Sequence, residues 1–276
     1  MDFVFRRTYQ GPLKAAIFDW AGTTVDYGSC APAGVFIEVF RRRGVEVTQE
    51  QAREPMGMHK RDHLLAMSKM PVIAKQWEAI QGKPCDVADV DAMFKEFVPM
   101  QLACLHKYNE LTPGTLEAQS DLRQRGMKIG STTGYNREML DFILQDAAKQ
   151  GYKPDAGVSA AEVPAGRPAP WMAFKVAEQL GVYPMEAYMK VGDTLSDIGE
   201  GLNAGMWTVG ITKAGNEVGL SESEVESMEI EDLRTRIDRA TNRFLSAGAH
   251  FIIETMAEVP TVVDEINERL ARGERP

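Results

Sequence analysis

The sequence predicts an α/β fold, a Rossmann-like parallel sheet core whose first strand is followed by an inserted all-helical cap. Short apolar runs alternate with helical stretches from Pro113 onward, while His59 to about Tyr108 holds no strand. Alternation of this kind requires a parallel sheet covered on both faces. Acidic or hydroxyl residues stand at the ends of the apolar runs, at Asp19, Thr132–Thr133 and Gly192–Asp193. Ligands bind at the carboxyl ends of strands in such sheets, so these positions mark the expected site.

Leu13–Phe18 is a mostly apolar run ending at Asp19 and reads as a buried strand. Pro32–Arg43 places Val35, Phe36, Val39 and Phe40 at helical spacing, and Gly44 stops that helix. Thr48 and Gln51 form a capping box for a short helix running to Pro55. Everything from His59 to Tyr108 reads helical, punctuated by Pro71, the Gly82–Pro84 break and Pro99. Helices are then expected at Leu116–Arg125, Arg137–Gln150, Trp171–Leu180 and Ser196–Ala204. Strands are expected at Met127–Ser131, Gly157–Ser159, Ala187–Val191 and Trp207–Ile211, interleaved with those helices. Beyond Ser221 the chain reads acidic and helical, with His250–Ile253 as a last strand. The core is expected at residues 1–26 and 106–276, with the cap at 27–105.

The chain has 276 residues, 44% hydrophobic and 26% charged, enough for one or two domains with a sizeable core. Its net charge of −9 repels polyphosphate, so nucleic acid and anionic membranes are not expected partners. A small anionic substrate would need a local cation. Cys30, Cys85 and Cys104 form no CxxC pair and fit free thiols in a reducing compartment. Cys30 has no His or basic neighbour in sequence to activate it. No run approaches the roughly 18 apolar residues of a membrane span. Met1–Pro12 carries Arg6 and Arg7 but no signal-peptide core, so a cytoplasmic protein is expected.

Three segments carry the chemistry. Asp19-Trp20-Ala21-Gly22-Thr23-Thr24-Val25-Asp26 and Gly192-Asp193-Thr194-Leu195-Ser196-Asp197 each place an aspartate where a strand opens into a loop. Ile129-Gly130-Ser131-Thr132-Thr133-Gly134 runs a strand into hydroxyls and glycine. Singly, each is also ordinary turn chemistry, and Asp197 a helix-N-terminal charge. Together they make one site: neighbouring carboxylates share Mg²⁺, one attacks phosphorus, and a hydroxyl with loop amides holds the phosphoryl oxygens. Gly199–Gly205 has the wrong spacing for a dinucleotide motif and reads as close helix packing. His59, His106 and His250 lack zinc-ligand spacing and are expected to be structural.

These motifs, in this order, resemble the haloacid dehalogenase superfamily from about Lys14 to about Met256. The resemblance implies Asp19 as the nucleophile, with the Ala21 carbonyl and Asp193 joining it on Mg²⁺. It implies Thr133 and Arg167 as the phosphoryl-binding hydroxyl and base, and Asp197 as an acid nearer the metal's outer shell. Phosphatases and mutases of the superfamily carry a general-acid aspartate two residues after the nucleophile, where this chain has Ala21. An alkoxide leaving group needs a proton donor, so that departure opposes phosphomonoester chemistry.

The cap segment Glu54-Pro55-Met56-Gly57-Met58-His59-Lys60-Arg61-Asp62-His63 offers another route. With FDWAGTTVDYG, GSTTGY, VPAGRP and KVGDTLSDIGEGLNAGMWTVG, it is similar to the phosphonoacetaldehyde hydrolases. In that family an imine-forming lysine falls at this position, which implies Lys60; the bland alternative is a solvated surface lysine. The resemblance further implies a phosphonate substrate, Mg²⁺ as cofactor and a homodimer contacting through its caps. His63, three residues from Lys60 and on the same helix face, and Tyr135 are candidate proton relays. Met56 is a candidate to pack against the imine. Core packing explains these three equally well. A non-catalytic protein binding a partner through the same cleft is the rival of another class; joint presence of Asp19, Thr133, Arg167 and Asp193 opposes it.

Overall fold

The computed structural model describes residues 9–276; the expected first residues of the core, with Arg6 and Arg7, lie outside them. The sheet has six parallel strands: β1 (Ala15–Phe18), β2 (Lys128–Thr133), β3 (Ala156–Ser159), β4 (Tyr188–Gly192), β5 (Trp207–Ile211) and β6 (Phe251–Ile253). Their order is β3-β2-β1-β4-β5-β6. The chain therefore builds outward from β1 in one direction, then returns and builds in the other. Phe18 is in register with Ser131 on one side and Val191 on the other. One residue further, Asp19 emerges between the ends of β2 and β4, at the point where the strand order reverses.

Side chains along β1 alternate between faces, as a pleated strand requires. Ala16 and Phe18 join the cluster formed with α6 (Thr115–Gln124) and α12 (Val259–Ala271), the helices that follow the cap and end the chain. Ala15 and Ile17 face the opposite way, into the cluster containing Met172 and Val176 of α8 (Trp171–Leu180). The other core helices are α7 (Arg137–Lys149), α9 (Leu195–Ala204), α10 (Glu222–Ser227) and α11 (Ile230–Ser246).

Between β1 and α6 come five helices with no strand among them: α1 (Cys30–Arg41), α2 (Gln49–Arg53), α3 (Lys60–Ser68), α4 (Pro71–Gln81) and α5 (Val87–Leu105). The fold is thus an α/β core with a helical cap. Thr48 and Gln51 make the full reciprocal capping box of α2. Pro71 opens α4 at its first turn, and Gly82 closes that helix in the left-handed conformation, φ 71°. Phe36, Phe40, Leu64, Met67, Trp77, Met93 and Phe97 knit the cap helices into one cluster.

Two expectations are corrected. Pro99 does not punctuate the helical block, because α5 continues through it. An interior proline costs about 3 kcal/mol; burial of Val90, Met93 and Phe97 along the same helix contributes roughly 1.5–3 kcal/mol for each side chain and outweighs it. Thr132 and Thr133 belong to β2 rather than to the loop after it, since they pair in register with Val158 and Ser159 of β3. β-branched residues fit a pleated strand well.

Gly201 illustrates the helix packing expected from the glycines of α9. A Cβ there would sit 2.5 Å from Thr208 Cγ2 and 2.9 Å from Lys190 Cβ. Gly201→Ala should destabilise the protein by about 1–3 kcal/mol, despite alanine's better helix propensity. Chemical denaturation monitored by circular dichroism checks this; an unchanged or raised midpoint contradicts the packing argument.

Candidate active site

The turn after β1 is wound tightly. Trp20 carbonyl accepts from the backbone N–H groups of Thr23, Thr24 and Val25, and Thr24 Oγ1 donates to the Asp19 carbonyl at 3.0 Å. Gly22 sits at φ +83°, and a Cβ on it would overlap Asp193 Oδ2. Only glycine lets the two aspartate loops approach this closely. Asp193 in turn accepts from Asn216 N–H at 2.9 Å and from Thr23 Oγ1 at 3.3 Å. Oxygens of Asp19, Asp193 and Asp197 all lie within 4.8 Å of one another.

Asp197 differs from the other two. Thr194 caps α9 through a reciprocal capping box with it, and Thr194 Oγ1 donates to Asp197 Oδ2 at 2.6 Å. Asp197 Oδ1 meets Lys190 Nζ at 2.7 Å and Arg167 Nη1 at 3.1 Å. Asp197 is therefore neutralised by two cations, whereas among the described residues Asp19 meets one through Oδ1 and Asp193 is in contact with none. Arg167 is fully buried and also contacts Asp19 Oδ1 at 2.7 Å and Glu200 Oε2 at 2.9 Å. Thr133 is buried, and its hydroxyl accepts from Tyr135 N–H at 3.2 Å.

The cap contributes the remaining wall. Ser196 Oγ donates to the Met56 carbonyl at 3.2 Å. Gly57, φ +87°, lies against Thr194 Oγ1, where any Cβ would collide. This contact explains the glycine in the Met-Gly pair and sets Lys60 at the first position of α3. Lys60 is buried, with Nζ 3.9 Å from Met56 Sδ, 4.9 Å from the centre of the Tyr135 ring and 5.6 Å from that of Phe36. One small cavity is lined jointly by Asp19, Ala21, Met56, Lys60, Thr133, Tyr135 and Arg167.

His63 is not brought to that cavity. Its ring stacks on Phe36 at 3.6 Å and its Nε2 is 2.9 Å from the Ala52 carbonyl, so Nε2 carries the proton. Burial, with the charge of Lys60, holds its pKa well below the usual histidine value. Cys30, which has no basic neighbour in sequence, gains one in space: Arg53 Nη2 lies 3.8 Å from its sulfur. Burial and Asp26 nevertheless push the thiol up.

Lys190 and Glu200 are the site charges that sequence reasoning missed. Both are fully buried, and Lys190 interrupts the apolar run of β4. A charged residue inside an inner parallel strand, which ought to be continuously apolar, was the available signal. Glu200 had none, because a glutamate on a helix is normally solvated.

Burial dominates the electrostatics. It raises the Lys60 ammonium's cost and lowers its pKa to about 8, with Arg167 adding to the effect against Asp19 and Asp193. It pushes Asp193 well above the carboxylate range, reinforced by Asp19 and Asp197, and raises Asp19 despite Arg167. Burial would raise Asp197 as well, but Arg167 and Lys190 hold it low. Among the described residues the buried carboxylates Asp19, Asp193, Asp197 and Glu200 pair only with Arg167 and Lys190, and even with Lys60 opposite Asp19 and Asp193 the positive charge falls short of the negative. A divalent cation on Asp19 and Asp193 fits that deficit, and hard carboxylate oxygens suit Mg²⁺.

The profile of the haloacid dehalogenase-like hydrolases matches residues 13–205. The chain belongs to this family. A phosphonoacetaldehyde hydrolase-like protein of Syntrophobacter fumaroxidans is 49% identical over 99% of both chains. A phosphonoacetaldehyde hydrolase of Bacillus cereus is 52% identical over 93% of this chain and 97% of its own. The crystal structure of a phosphonoacetaldehyde hydrolase-like protein from Oleispira antarctica superposes with a TM-score of 0.97, at 41% identity and full coverage of both chains. This haloacid dehalogenase-like hydrolase has, among its described residues, no helix long and apolar enough to cross a membrane.

If the charge deficit marks a cation site, Mg²⁺ should raise the melting temperature of the metal-free hydrolase. At a hundredfold excess over Kd the gain is about 2.7 kcal/mol, or roughly 5 °C. Asp193→Asn removes one negative ligand and should abolish most of that shift. Differential scanning calorimetry with and without Mg²⁺ reads both, and an equal shift in the variant rules the site out.

Proposed function

We propose that this hydrolase cleaves the carbon–phosphorus bond of phosphonoacetaldehyde, giving acetaldehyde and phosphate. One observation carries the reading: a cap lysine, Lys60, is buried in the same cavity as Asp19, while Ala21 stands where a general acid would be. The names of the B. cereus and S. fumaroxidans relatives, a phosphonoacetaldehyde hydrolase and a phosphonoacetaldehyde hydrolase-like protein, support it.

Rupture of a P–C bond leaves a carbanion unless its electrons have somewhere to go. The uncharged Lys60 amine condenses with the aldehyde, losing water and taking up one proton from solvent, and the protonated imine places its nitrogen two bonds from the departing carbon. Asp19 attacks phosphorus, and the electron pair of the breaking P–C bond moves into the imine to form an enamine. Water then hydrolyses the aspartyl phosphate, releasing phosphate and Asp19. Protonation of the enamine carbon and hydrolysis of the imine return acetaldehyde and Lys60. No proton has to reach a leaving oxygen, which makes an alanine at position 21 sufficient.

In this reading Asp19, Asp193 and the Ala21 carbonyl hold Mg²⁺, whose charge offsets the surplus carboxylates and the phosphoryl oxygens. Arg167 and Thr133 bind the phosphoryl group, and Asp197 orients Arg167. Met56 packs beside the imine nitrogen, and Tyr135, its hydroxyl kept protonated by burial, borders the aldehyde. His63 supports α3 from outside the cavity. We assign the cap to residues 27–105, and we take the working form to be a cytoplasmic homodimer joined through the caps.

Borohydride with acetaldehyde should inactivate the enzyme and leave a two-carbon adduct on Lys60 alone, read by mass spectrometry. Lys60→Arg keeps the charge but cannot condense, so turnover should fall on the order of a thousandfold or more while the fold survives. Near-normal turnover, or an adduct on another lysine, sinks the imine assignment.

The pH profile follows from the same burial. Only the neutral amine condenses, so kcat/KM should rise tenfold per pH unit and level off above about 8, the value to which Lys60 is lowered. An inflection near the ordinary lysine value of 10.5 would contradict it.

A further inference from the structure

Lys190 and Glu200 are buried charges that the proposed mechanism leaves unused. Desolvating such groups costs several kcal/mol per ion unless they are well paired, so their partners show what they are for. Glu200 Oε2 accepts from Arg167 Nε at 2.9 Å and from Thr132 Oγ1 at 3.0 Å, and lies 3.5 Å from Lys190 Nζ. Thr132 Oγ1 itself accepts from Arg167 Nη2 at 2.7 Å. On the other flank, Asp197 Oδ1 lies 3.1 Å from Arg167 Nη1 and 2.7 Å from Lys190 Nζ.

We propose that Glu200 is a positioning residue for Arg167, with Lys190 as the counter-ion that lets two carboxylates grip one guanidinium. The inference rests on Arg167 being the phosphoryl-binding cation. A guanidinium is a rigid planar fork, so holding Nε through Glu200 and Nη1 through Asp197 dictates where Nη2 points. It points at Asp19 Oδ1, 2.7 Å away, beside the attacking carboxylate. Without Glu200 the Nε atom loses its acceptor, and the arginine is held only at Nη1 by Asp197 and at Nη2 by Asp19 and by the Thr132 carbonyl and hydroxyl, so the tilt of its plane is less tightly set. Lys190 completes the balance. Asp197 and Glu200 are neutralised by Arg167 and Lys190, so the negative charge of Asp19 and Asp193 is left for the metal and the substrate. Glu200 touches no reacting atom in this scheme and acts through Arg167.

The test uses inorganic phosphate as the probe, titrated calorimetrically into the Mg²⁺-loaded protein. Glu200→Gln keeps the shape of the side chain and removes its charge. It should weaken phosphate binding about tenfold, the scale of one charge-assisted hydrogen bond. The rate of Lys60 trapping by acetaldehyde and borohydride should stay at the wild-type value. In an Arg167→Lys background, which has no fork to orient, the same substitution should change phosphate affinity less than about twofold. Unchanged phosphate affinity in Glu200→Gln overturns the proposal. So does an undiminished effect in the Arg167→Lys background, or a loss of Lys60 trapping of similar size, which marks general damage. If Glu200→Gln does not fold, Glu200→Asp, which retracts the carboxylate by one methylene, is read against the same outcomes. Phosphate binds whichever phosphoryl compound is the substrate. A wild type that fails to trap acetaldehyde therefore sinks the imine mechanism and leaves the phosphate comparison standing.

Discussion

Charge held out of water at the ends of β1 and β4 is the constraint around which this molecule is organised. Asp19, Asp193, Asp197, Glu200, Arg167 and Lys190 are all buried, and none is tolerable there alone. All but Asp193 are paired within the set: Arg167 touches three of the four carboxylates and Lys190 lies beside two, while Asp193 is held by Thr23 and Asn216. The sheet order makes this possible, because it sets β1 between β2 and β4 and so brings residues 19, 133 and 193 to one end. Glycines at the closest approaches, Gly22 above all, let the loops converge without a side chain between them.

The same desolvation acts with opposite sign on the two kinds of group. It makes the carboxylates hold protons or seek a cation, and it makes Lys60 give its proton up. A pair of aspartates suited to a cation and a partly neutral lysine therefore arise from one cause, the exclusion of water where the cap meets the core. That seam is specific. Ser196 holds the Met56 carbonyl, and Arg53 on the cap meets Asn216, whose backbone N–H binds Asp193. Asn216 thus stands directly between Arg53, at the end of α2, and Asp193.

Much of this was legible in the chain. Periodicity and turn residues located the strands, and the helices given individual bounds, within a residue or two, while the stretches 59–108 and beyond Ser221 were legible only as helical; the Thr48–Gln51 capping box and the Gly82 stop were readable because they are local chemistry. The candidate residues Asp19, Thr133 and Asp193 announced themselves by standing at strand ends, whatever the rest of the fold did. Pro99 was misread because a local rule was outweighed by burial that no local window contains. His63 shares a helix face with Lys60, yet the stack on Phe36 turns it away from the cavity, a contact that helical spacing cannot foresee.

By itself, then, the sequence determined the α/β class, the place of the helical cap and the strand-end aspartates, all of which depend on neighbours within a few residues. It determined as well that position 21 lacks a carboxylate, since that is a matter of covalent identity. Only the tertiary structure decided that Lys60 lies against Tyr135 and Met56 rather than in water, that Asp197 is occupied by two cations, and that Glu200 pairs with Arg167 beside Lys190. The physical reason is that burial and Coulomb pairing depend on distance through space. Residues 60, 167, 190 and 200 come together only when β1, β4, α9 and the cap close on one point.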